Sequence, residues 1–251
     1  MRKWKKRELY ANLRTPPLFL VRVDGRNFSR VLEGFEKPYD FRFAKAMVET
    51  CVEVLREFNA RFAFTFSDEA TFLMRDVFGC RVEKIDSIVA SEFASRIGLR
   101  LGFPVSFDCR IVFIEPSEIP DYLAWRQDEA WRNHVNSYAF YTLLKEIGDR
   151  RKVQEFLKGK KSKDLHDLLY KRGVNLAKTP AWQRRGVFLY WVEVELEREY
   201  EGRIVKFRRR RIVEDWEPPL FKTEEGKRYL ENILNCKKIT NPSCSPSPSL
   251  P

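Results

Sequence analysis

The sequence predicts an α+β fold, an antiparallel sheet with helices covering one of its faces. Three observations predict it. Short apolar, aromatic and β-branched runs alternate with longer segments of helical periodicity. Their order in the first half of the chain is strand, helix, hairpin, helix, strand. A length of 251 residues and a hydrophobic content of 43% allow one substantial core or two modest lobes that share a boundary.

The first half of the chain contains the elements of this sheet. Residues 18–23 are apolar except for Arg22 and end at the turn dipeptide Asp24-Gly25, which predicts a short buried strand. Asp40 is placed to cap a helix that continues to about residue 58. Two runs flanking an acidic tip predict a hairpin, and a helix and a strand follow it. The predicted ranges are 61–66 and 70–74 for the hairpin, 81–97 for the helix and 105–114 for the strand.

The second half predicts a helical and β-hairpin region. Residues 118–147 have a helical pattern, a basic and polar stretch continues to residue 178, and a hairpin is predicted from 186–198 and 203–213. Residues 235–251 are rich in serine and proline, which predicts a disordered tail. We therefore divide the chain into a domain at 1–147, a basic C-terminal region packed on it at 148–234, and a tail at 235–251.

The charge balance favours a polyanionic partner. Lysine and arginine outnumber aspartate and glutamate by 47 to 36, for a net charge of +11 and a pI near 9.5. Lysines cluster at 158–163 and arginines at 208–211. A generally basic, solvated surface is the alternative interpretation. No apolar run approaches the roughly 18 residues that span a bilayer, so we expect a cytoplasmic protein.

Cysteine, histidine and tryptophan do not predict a site of their own. The five cysteines form no CxxC pair, which argues against structural zinc and for a reducing compartment. Cys51 is expected in the core. His134 and His166 are expected at polar or RNA-facing helix positions. Trp125 and Trp131, on a helical pattern, are expected in the core more than as stacking platforms for bases.

Two aspartates are candidates for metal-dependent phosphoryl transfer. This chemistry uses two cations roughly 3.5 to 4 Å apart, and magnesium prefers oxygen ligands. Asp24 closes one strand and Asp68 lies at a hairpin tip, so adjacent strands would bring both carboxylates to one sheet edge. Each aspartate alone is more simply explained as a turn former.

The surrounding residues resemble a known family. Three segments resemble the N-terminal motifs of the tRNA-His guanylyltransferases, which join nucleotides in the 3′-to-5′ direction on a polymerase-like palm. They are Leu20-Val-Arg-Val-Asp24-Gly25-Arg26-Asn27-Phe28, Glu36-Lys37-Pro38-Tyr-Asp40 and Phe66-Ser67-Asp68-Glu69. Collinear similarity continues through Asp121-Tyr-Leu-Ala-Trp-Arg-Gln127 to Arg185-Gly186. The resemblance implies a palm catalytic domain at 1–147, an order of elements that nucleotidyl cyclases also use.

The resemblance implies a role for individual residues. Asp24 and Asp68 would bind two Mg²⁺ ions with the Gly25 carbonyl as a further ligand, and Glu69 would position a metal-bound water or a strand. The turn of Gly25, Arg26, Asn27 and Phe28 would hold a triphosphate. Lys37, Ser67, Arg81 and Lys84 would contact nucleotide phosphates, although a solvated helix face explains the last two equally well. The implied substrates are GTP, ATP and tRNA, and the implied assembly is a homotetramer.

The sequence departs from the family pattern after Gln127. Eukaryotic members have His-Ile-Asn-Asn-Leu-Tyr-Asn where this chain has Trp131-Arg-Asn-His-Val-Asn-Ser137, and Thr65-Phe66 replaces Gly-Gln. The chain is therefore more similar to the archaeal and bacterial guanylyltransferase-like branch, which implies templated 5′-end repair as well as guanosine addition. The family's lysine near 160–165 has no unambiguous counterpart. A palm-fold nucleotidyl cyclase and a non-catalytic RNA-binding protein are the two alternatives.

Overall fold

The computed structural model describes residues 4, 7–200 and 203–235. Its centre is one six-stranded antiparallel sheet in the order β4-β1-β3-β2-β5-β6. The strands are β1 (Leu18–Gly25), β2 (Phe62–Phe66), β3 (Glu69–Arg75), β4 (Phe107–Phe113), β5 (Val187–Tyr200) and β6 (Arg203–Asp215). The predicted α+β class and both predicted hairpins are confirmed.

Eight α-helices accompany the sheet in the described residues. They are α1 (Phe28–Val31), α2 (Phe41–Glu57), α3 (Val82–Leu101), α4 (Ile119–Ile147), α5 (Arg150–Leu157), α6 (Ser162–Tyr170), α7 (Ala181–Arg185) and α8 (Glu224–Asn235). Asp40 caps α2 as predicted, because its Oδ1 accepts the Arg42 N–H at 2.8 Å. Five of these helices were not predicted from the sequence. They are the short helices α1 and α7, and α5, α6 and α8, where polar residues dominate the pattern.

One face of the sheet packs against α2 and α3. Phe19, Val21 and Val23 of β1 point into this core, where α2 contributes the fully buried Cys51 that the sequence analysis expected there. Phe93 of α3 completes the layer. This is the helix-covered face that the sequence predicts.

The opposite face is also covered. Leu20 and Phe64 point to it, and they pack in one cluster with Leu123 of α4 and Leu230 of α8. Strand β2 is therefore buried on both sides along its whole length. The C-terminal half of the chain packs on the sheet through this second core, so the prediction of helices on one face is incomplete.

The tail predicted at 235–251 lies outside the described residues from residue 236 onward. Among the described helices, none combines the length and the apolar character needed to cross a membrane.

Candidate functional site

The two aspartates meet at one end of the paired strands β1 and β3, as the prediction from adjacent strands requires. β1 and β3 pair antiparallel with Asp24 opposite Glu69, which places Asp24 beside Asp68 in the preceding turn. The Gly25 N–H donates to the Asp68 carbonyl oxygen at 3.0 Å. Ser67, with a positive φ of 51°, makes the turn tight, and its hydroxyl donates to Asp68 Oδ1 at 2.9 Å. Local turn geometry and the β-ladder therefore hold both carboxylates in register.

Glycine is required at position 25. A Cβ atom there would lie 2.9 Å from the Asp68 Cβ and would overlap the Phe28 ring. Phe28 itself is buried between Phe43 and Phe107, at centroid distances of 5.5 and 5.0 Å. Its side chain thus anchors the turn in the core and brings the backbone close to Asp68.

Only part of the predicted phosphate-binding turn has free N–H groups. The Gly25 N–H is used by Asp68, and the Arg26 N–H donates to the Ser106 carbonyl at 2.9 Å. Asn27 has a positive φ of 60° and precedes α1, so its N–H and that of Phe28 have no intrahelical partner. These two N–H groups are not used by the hydrogen bonds that fix the turn.

A polar cleft surrounds the aspartates. Asp24, Ser67, Asp68 and Glu69 line it with two basic residues, Arg22 of β1 and Arg126 of α4. We call this the acidic cleft. Burial raises the pKa of Asp68 to about 6, and the negative charge of Asp24 adds to this rise. Two neighbouring carboxylates in this environment favour a bound cation.

The structure pairs Glu69 with Arg126. The guanidinium donates to both carboxylate oxygens, at 2.9 and 2.6 Å, and both side chains are at least nine-tenths buried. Arg22 Nε lies 3.9 Å from the same carboxylate. Burial raises the pKa of Glu69, while the two guanidinium groups oppose the rise. With both oxygens occupied, Glu69 fits the predicted role of positioning a strand better than that of holding a water.

The predicted phosphate contacts divide into two groups. Lys37 and Ser67 line a second pocket adjoining the acidic cleft, and Lys37 Nζ donates to the Leu32 carbonyl at 2.6 Å. Arg81 and Lys84 instead lie at the beginning of α3, where Arg81 forms a bridge with Arg14 before β1. The length of β1, roughly 20 Å, separates them from Asp24. Within one chain they do not reach the acidic cleft, and their role stays a prediction.

The donors of the cleft fit a hard cation. The described residues contain no group of three or more histidine, cysteine, aspartate or glutamate side chains able to hold a metal. Asp24 and Asp68 supply two carboxylates to the cleft, and the carbonyl of Gly25, the residue after Asp24, would add a backbone oxygen. Oxygen donors of this kind suit magnesium, which usually retains several water ligands.

Two expectations near the cleft are wrong. Trp125 is 48% exposed, because α4 turns it away from the sheet, and the Arg126 guanidinium lies 4.5 Å from its ring. His134 is fully buried, stacks on Trp131 and shares a 3.0 Å hydrogen bond with the Thr179 hydroxyl. Burial, and then Arg184, lower its pKa to about 3. It is a neutral core residue and does not face RNA.

Arg22 and Arg126 have no role predicted from the sequence. Arg22 was visible as the one charged residue inside an apolar strand, and Arg126 as part of a quoted motif. Their common partner, Glu69, follows only from the packing of α4 on the sheet.

Family models match almost the whole described chain. The model described as tRNAHis guanylyltransferase matches residues 1–115, and the one described as Thg1 C terminal domain matches residues 117–233. The division predicted at residue 147 stays a prediction.

Named relatives agree with these matches. The chain is 32% identical over 225 residues to "tRNA(His) guanylyltransferase 1" of Arabidopsis thaliana, covering 82% of this chain and 40% of that protein. It is 32% identical to "Probable tRNA(His) guanylyltransferase" of Mus musculus (74% of this chain, 68% of that protein) and 30% identical to the one of Dictyostelium discoideum (78% and 83%). The chain thus spans less than half of the Arabidopsis relative.

Solved structures share the fold. A bacterial tRNA(His) guanylyltransferase (Thg1)-like protein in complex with GTP superimposes with a TM-score of 0.71 at 23% identity, covering 94% of this chain and 98% of that one. The tRNA(His) guanylyltransferase of Saccharomyces cerevisiae gives 0.61 at 23% identity, with 69% and 85% covered. The acidic cleft therefore lies on the same type of palm. The family models and the relatives show that this chain belongs to the tRNA-His guanylyltransferase family.

Proposed function

We propose that this chain is a magnesium-dependent nucleotidyltransferase that adds nucleotides in the 3′-to-5′ direction to the 5′ end of tRNA. The observation that carries the proposal is the pair Asp24 and Asp68, held side by side at the adjoining ends of β1 and β3 in a member of this family. Relatives named as tRNA(His) guanylyltransferases favour this function over a nucleotidyl cyclase or a non-catalytic RNA-binding protein.

Each part of the cleft has a chemical role in this proposal. Asp24, Asp68 and the Gly25 carbonyl would hold two magnesium ions, which when bound activate the attacking oxygen and neutralise the leaving pyrophosphate. The N–H groups of Asn27 and Phe28 bind phosphate oxygens, and Lys37 and Ser67 extend this binding toward the adjoining pocket. Glu69 and Arg126 keep β3 and α4 in place.

The chemistry has three steps. A phosphate oxygen of the tRNA 5′-monophosphate attacks the α-phosphorus of ATP or GTP, and pyrophosphate leaves. The 3′-hydroxyl of an incoming nucleoside triphosphate then attacks the activated 5′ phosphorus, and the nucleoside monophosphate leaves. Pyrophosphate is removed from the new 5′ end when required. Because phosphoryl transfer is mostly positioning and charge neutralisation, no protein nucleophile is needed.

The finer assignments belong to the same proposal. Trp131, Arg132 and His134 replace family residues, which favours the archaeal and bacterial guanylyltransferase-like branch and templated 5′-end repair beside guanosine addition. We place the reaction in the cytoplasm and the protein in a homotetramer. In such an assembly Arg81 and Lys84 would be free to contact a triphosphate bound to another subunit.

Incorporation of labelled GTP into tRNA tests the function. Asp24→Asn and Asp68→Asn should each retain less than a tenth of wild-type turnover at saturating magnesium, while tRNA binding persists. Asp76→Asn is the matched control, since Asp76 is an exposed aspartate in the turn at the other end of β3 and tolerates asparagine at its positive φ. Full activity in either cleft variant, or equal loss in the control, would contradict the assignment.

A further inference from the structure

The hairpin of β5 and β6 extends far beyond the sheet. β2 pairs with β5 only from Phe62 opposite Tyr190 to Thr65 opposite Val187, whereas β5 continues to Tyr200 paired with β6 alone. β6 is the edge of the sheet. Every residue of β6 from 203 to 211 is exposed. These strands beyond residue 190 therefore present two faces to the surroundings.

The ladder puts all the glutamates of this segment on one face. Glu193 lies opposite Arg210, Glu195 opposite Arg208, Glu197 opposite Lys206, and Glu199 opposite Ile204. Arg208 Nη2 lies 3.2 Å from Glu195 Oε1, and Lys206 Nζ lies 2.7 Å from Glu197 Oε1. Arg210 lies over the Trp191 ring at 4.5 Å. The basic residues of this face are thus balanced by acids or occupied by neighbouring side chains.

In the described ladder beyond residue 190, the other face carries arginines and no acid. The register alternates, so the same ladder places four arginines there, each opposite an apolar or aromatic residue: Arg211 opposite Val192, Arg209 opposite Val194, Arg198 opposite Val205, and Arg203 opposite Tyr200. Leu196 lies opposite Phe207, which is 41% exposed. Among the described residues none of the four arginines makes an ion pair. We call this the arginine face.

We infer that the arginine face binds the phosphate backbone of tRNA, an inference that rests on the proposed function. Four unpaired guanidinium groups on an acid-free surface are complementary to a polyanion, and the planar fork of arginine matches phosphate oxygens. Arginine stems can lie along the aliphatic residues opposite them and keep their charged heads in solvent. The glutamate face would repel the same backbone, so the hairpin binds RNA on one side only.

The position of the hairpin fits a substrate whose 5′ end enters the acidic cleft. β5 begins at Val187, paired with Thr65 two residues before Ser67, and runs away from the cleft to Tyr200. The strand is up to about 40 Å long. RNA helices are recognised chiefly by shape and backbone contacts. The arginine face therefore follows the body of a tRNA whose end is at Asp24 and Asp68.

Two double variants with the same loss of charge test the inference. Arg209→Ala/Arg211→Ala removes two arginines from the arginine face, and Arg208→Ala/Arg210→Ala removes two from the glutamate face of the same strand. In salt titrations of tRNA binding, the first should lower the slope of log Kd against log salt by about 2, and the second by less than about 1. The first should also raise KM for tRNA about tenfold with kcat unchanged.

The outcomes separate the possibilities. Equal effects of the two double variants, or no effect of either, would overturn the inference, because binding would then not distinguish the faces. A smaller particle mass of RNA-free Arg209→Ala/Arg211→Ala by light scattering would also overturn it, since a second copy of the chain would then occupy the face. If the wild type binds tRNA with the expected pattern but adds no nucleotide, the proposed function fails and the RNA-binding face is supported.

Discussion

The fold places the Asp68 carboxylate where its negative charge is disfavoured. Its pKa is raised from 3.8 to about 6, chiefly by burial and further by Asp24. A raised carboxyl pKa means that the folded state binds the proton more tightly than the unfolded state does. This tighter proton binding adds to the free energy of unfolding. The added stability is complete below about pH 4 and is lost as pH rises from about 4 through 6.

Asp68→Asn should therefore stabilise the metal-free protein at high pH while it abolishes activity. The expected gain in the free energy of unfolding at pH 8 is up to about 3 kcal/mol, and about half of that at pH 5. Urea unfolding at both pH values measures it. Magnesium should then raise the Tm of the wild type and not that of the variant, because a ligand stabilises only a protein that binds it. A gain independent of pH would contradict the electrostatic explanation.

Arg126 and Glu69 form a buried ion pair in which each charge is compensated by the other. Arg126→Leu leaves the Glu69 carboxylate buried with only the more distant Arg22, which should lower the free energy of unfolding by about 3–5 kcal/mol. Adding Glu69→Gln to this variant removes the uncompensated charge and should recover part of the loss. Denaturant unfolding of the two single variants and the double variant gives the coupling energy. A loss below about 1 kcal/mol in Arg126→Leu would show that the pair is not desolvated.

Helix α8 determines how the second sheet face is closed. Its Leu230 and Ile233 are buried against the sheet, and Phe221 just before it is 1% exposed. Gln127 of α4 receives the Phe221 N–H at 2.8 Å and donates to the Pro219 carbonyl at 3.0 Å. The approach is so close that a Cβ on Gly226 would overlap the Leu220 backbone. The family's Gln127 and the C-terminal helix thus form one packed unit.

Gly226→Ala should loosen this unit. Since the added methyl group meets backbone and not a flexible side chain, the helix must shift, at an expected cost of about 1–3 kcal/mol in the free energy of unfolding. Gly34→Ala is the control, because no atom lies within 4 Å of its added Cβ and its φ is not positive. Urea unfolding compares the two. Equal stability of both variants would show that α8 does not pack as closely as the contact requires.

At the scale of the whole molecule, the question is how the incoming nucleotide is selected. The proposed contacts to the triphosphate are charged groups and backbone N–H groups, which do not distinguish bases. The segment at 131–137 also lacks most of the family residues. We therefore expect selection by pairing with the opposite 3′ strand of the tRNA. Several tRNA species lacking the first 5′ nucleotide should each gain the base that pairs with this strand.

Supplying each of the four nucleoside triphosphates to such truncated tRNAs, and sequencing the 5′ ends, measures this choice. Full-length tRNA-His is the comparison substrate. Guanosine added only to tRNA-His, whatever base stands opposite, would show that the protein itself reads tRNA identity.

Local sequence patterns were sufficient for most elements and for the acidic pair. Apolar runs of period two and helical repeats predicted β1 to β4, α2 to α4 and the long hairpin, because each pattern reflects burial of one strand or helix face. Asp24-Gly25 and Ser67-Asp68 stood in turn signals that position carboxylates at strand ends. Short polar helices such as α5 and α6 were missed, since Val153 is the one buried residue of α5 and leaves little periodicity to detect.

Contacts between distant segments required the tertiary structure. The sequence by itself was enough to predict the palm fold, the family and the placement of Asp24 and Asp68 at adjacent strand ends. Only the folded chain showed that Arg126 neutralises Glu69, that Arg81 and Lys84 lie a strand length from the cleft, and that the run Arg208 to Arg211 divides between two faces. The reason is physical: a local pattern records whether a residue is buried, whereas partners depend on the register of strands and the packing of helices that are far apart in the chain.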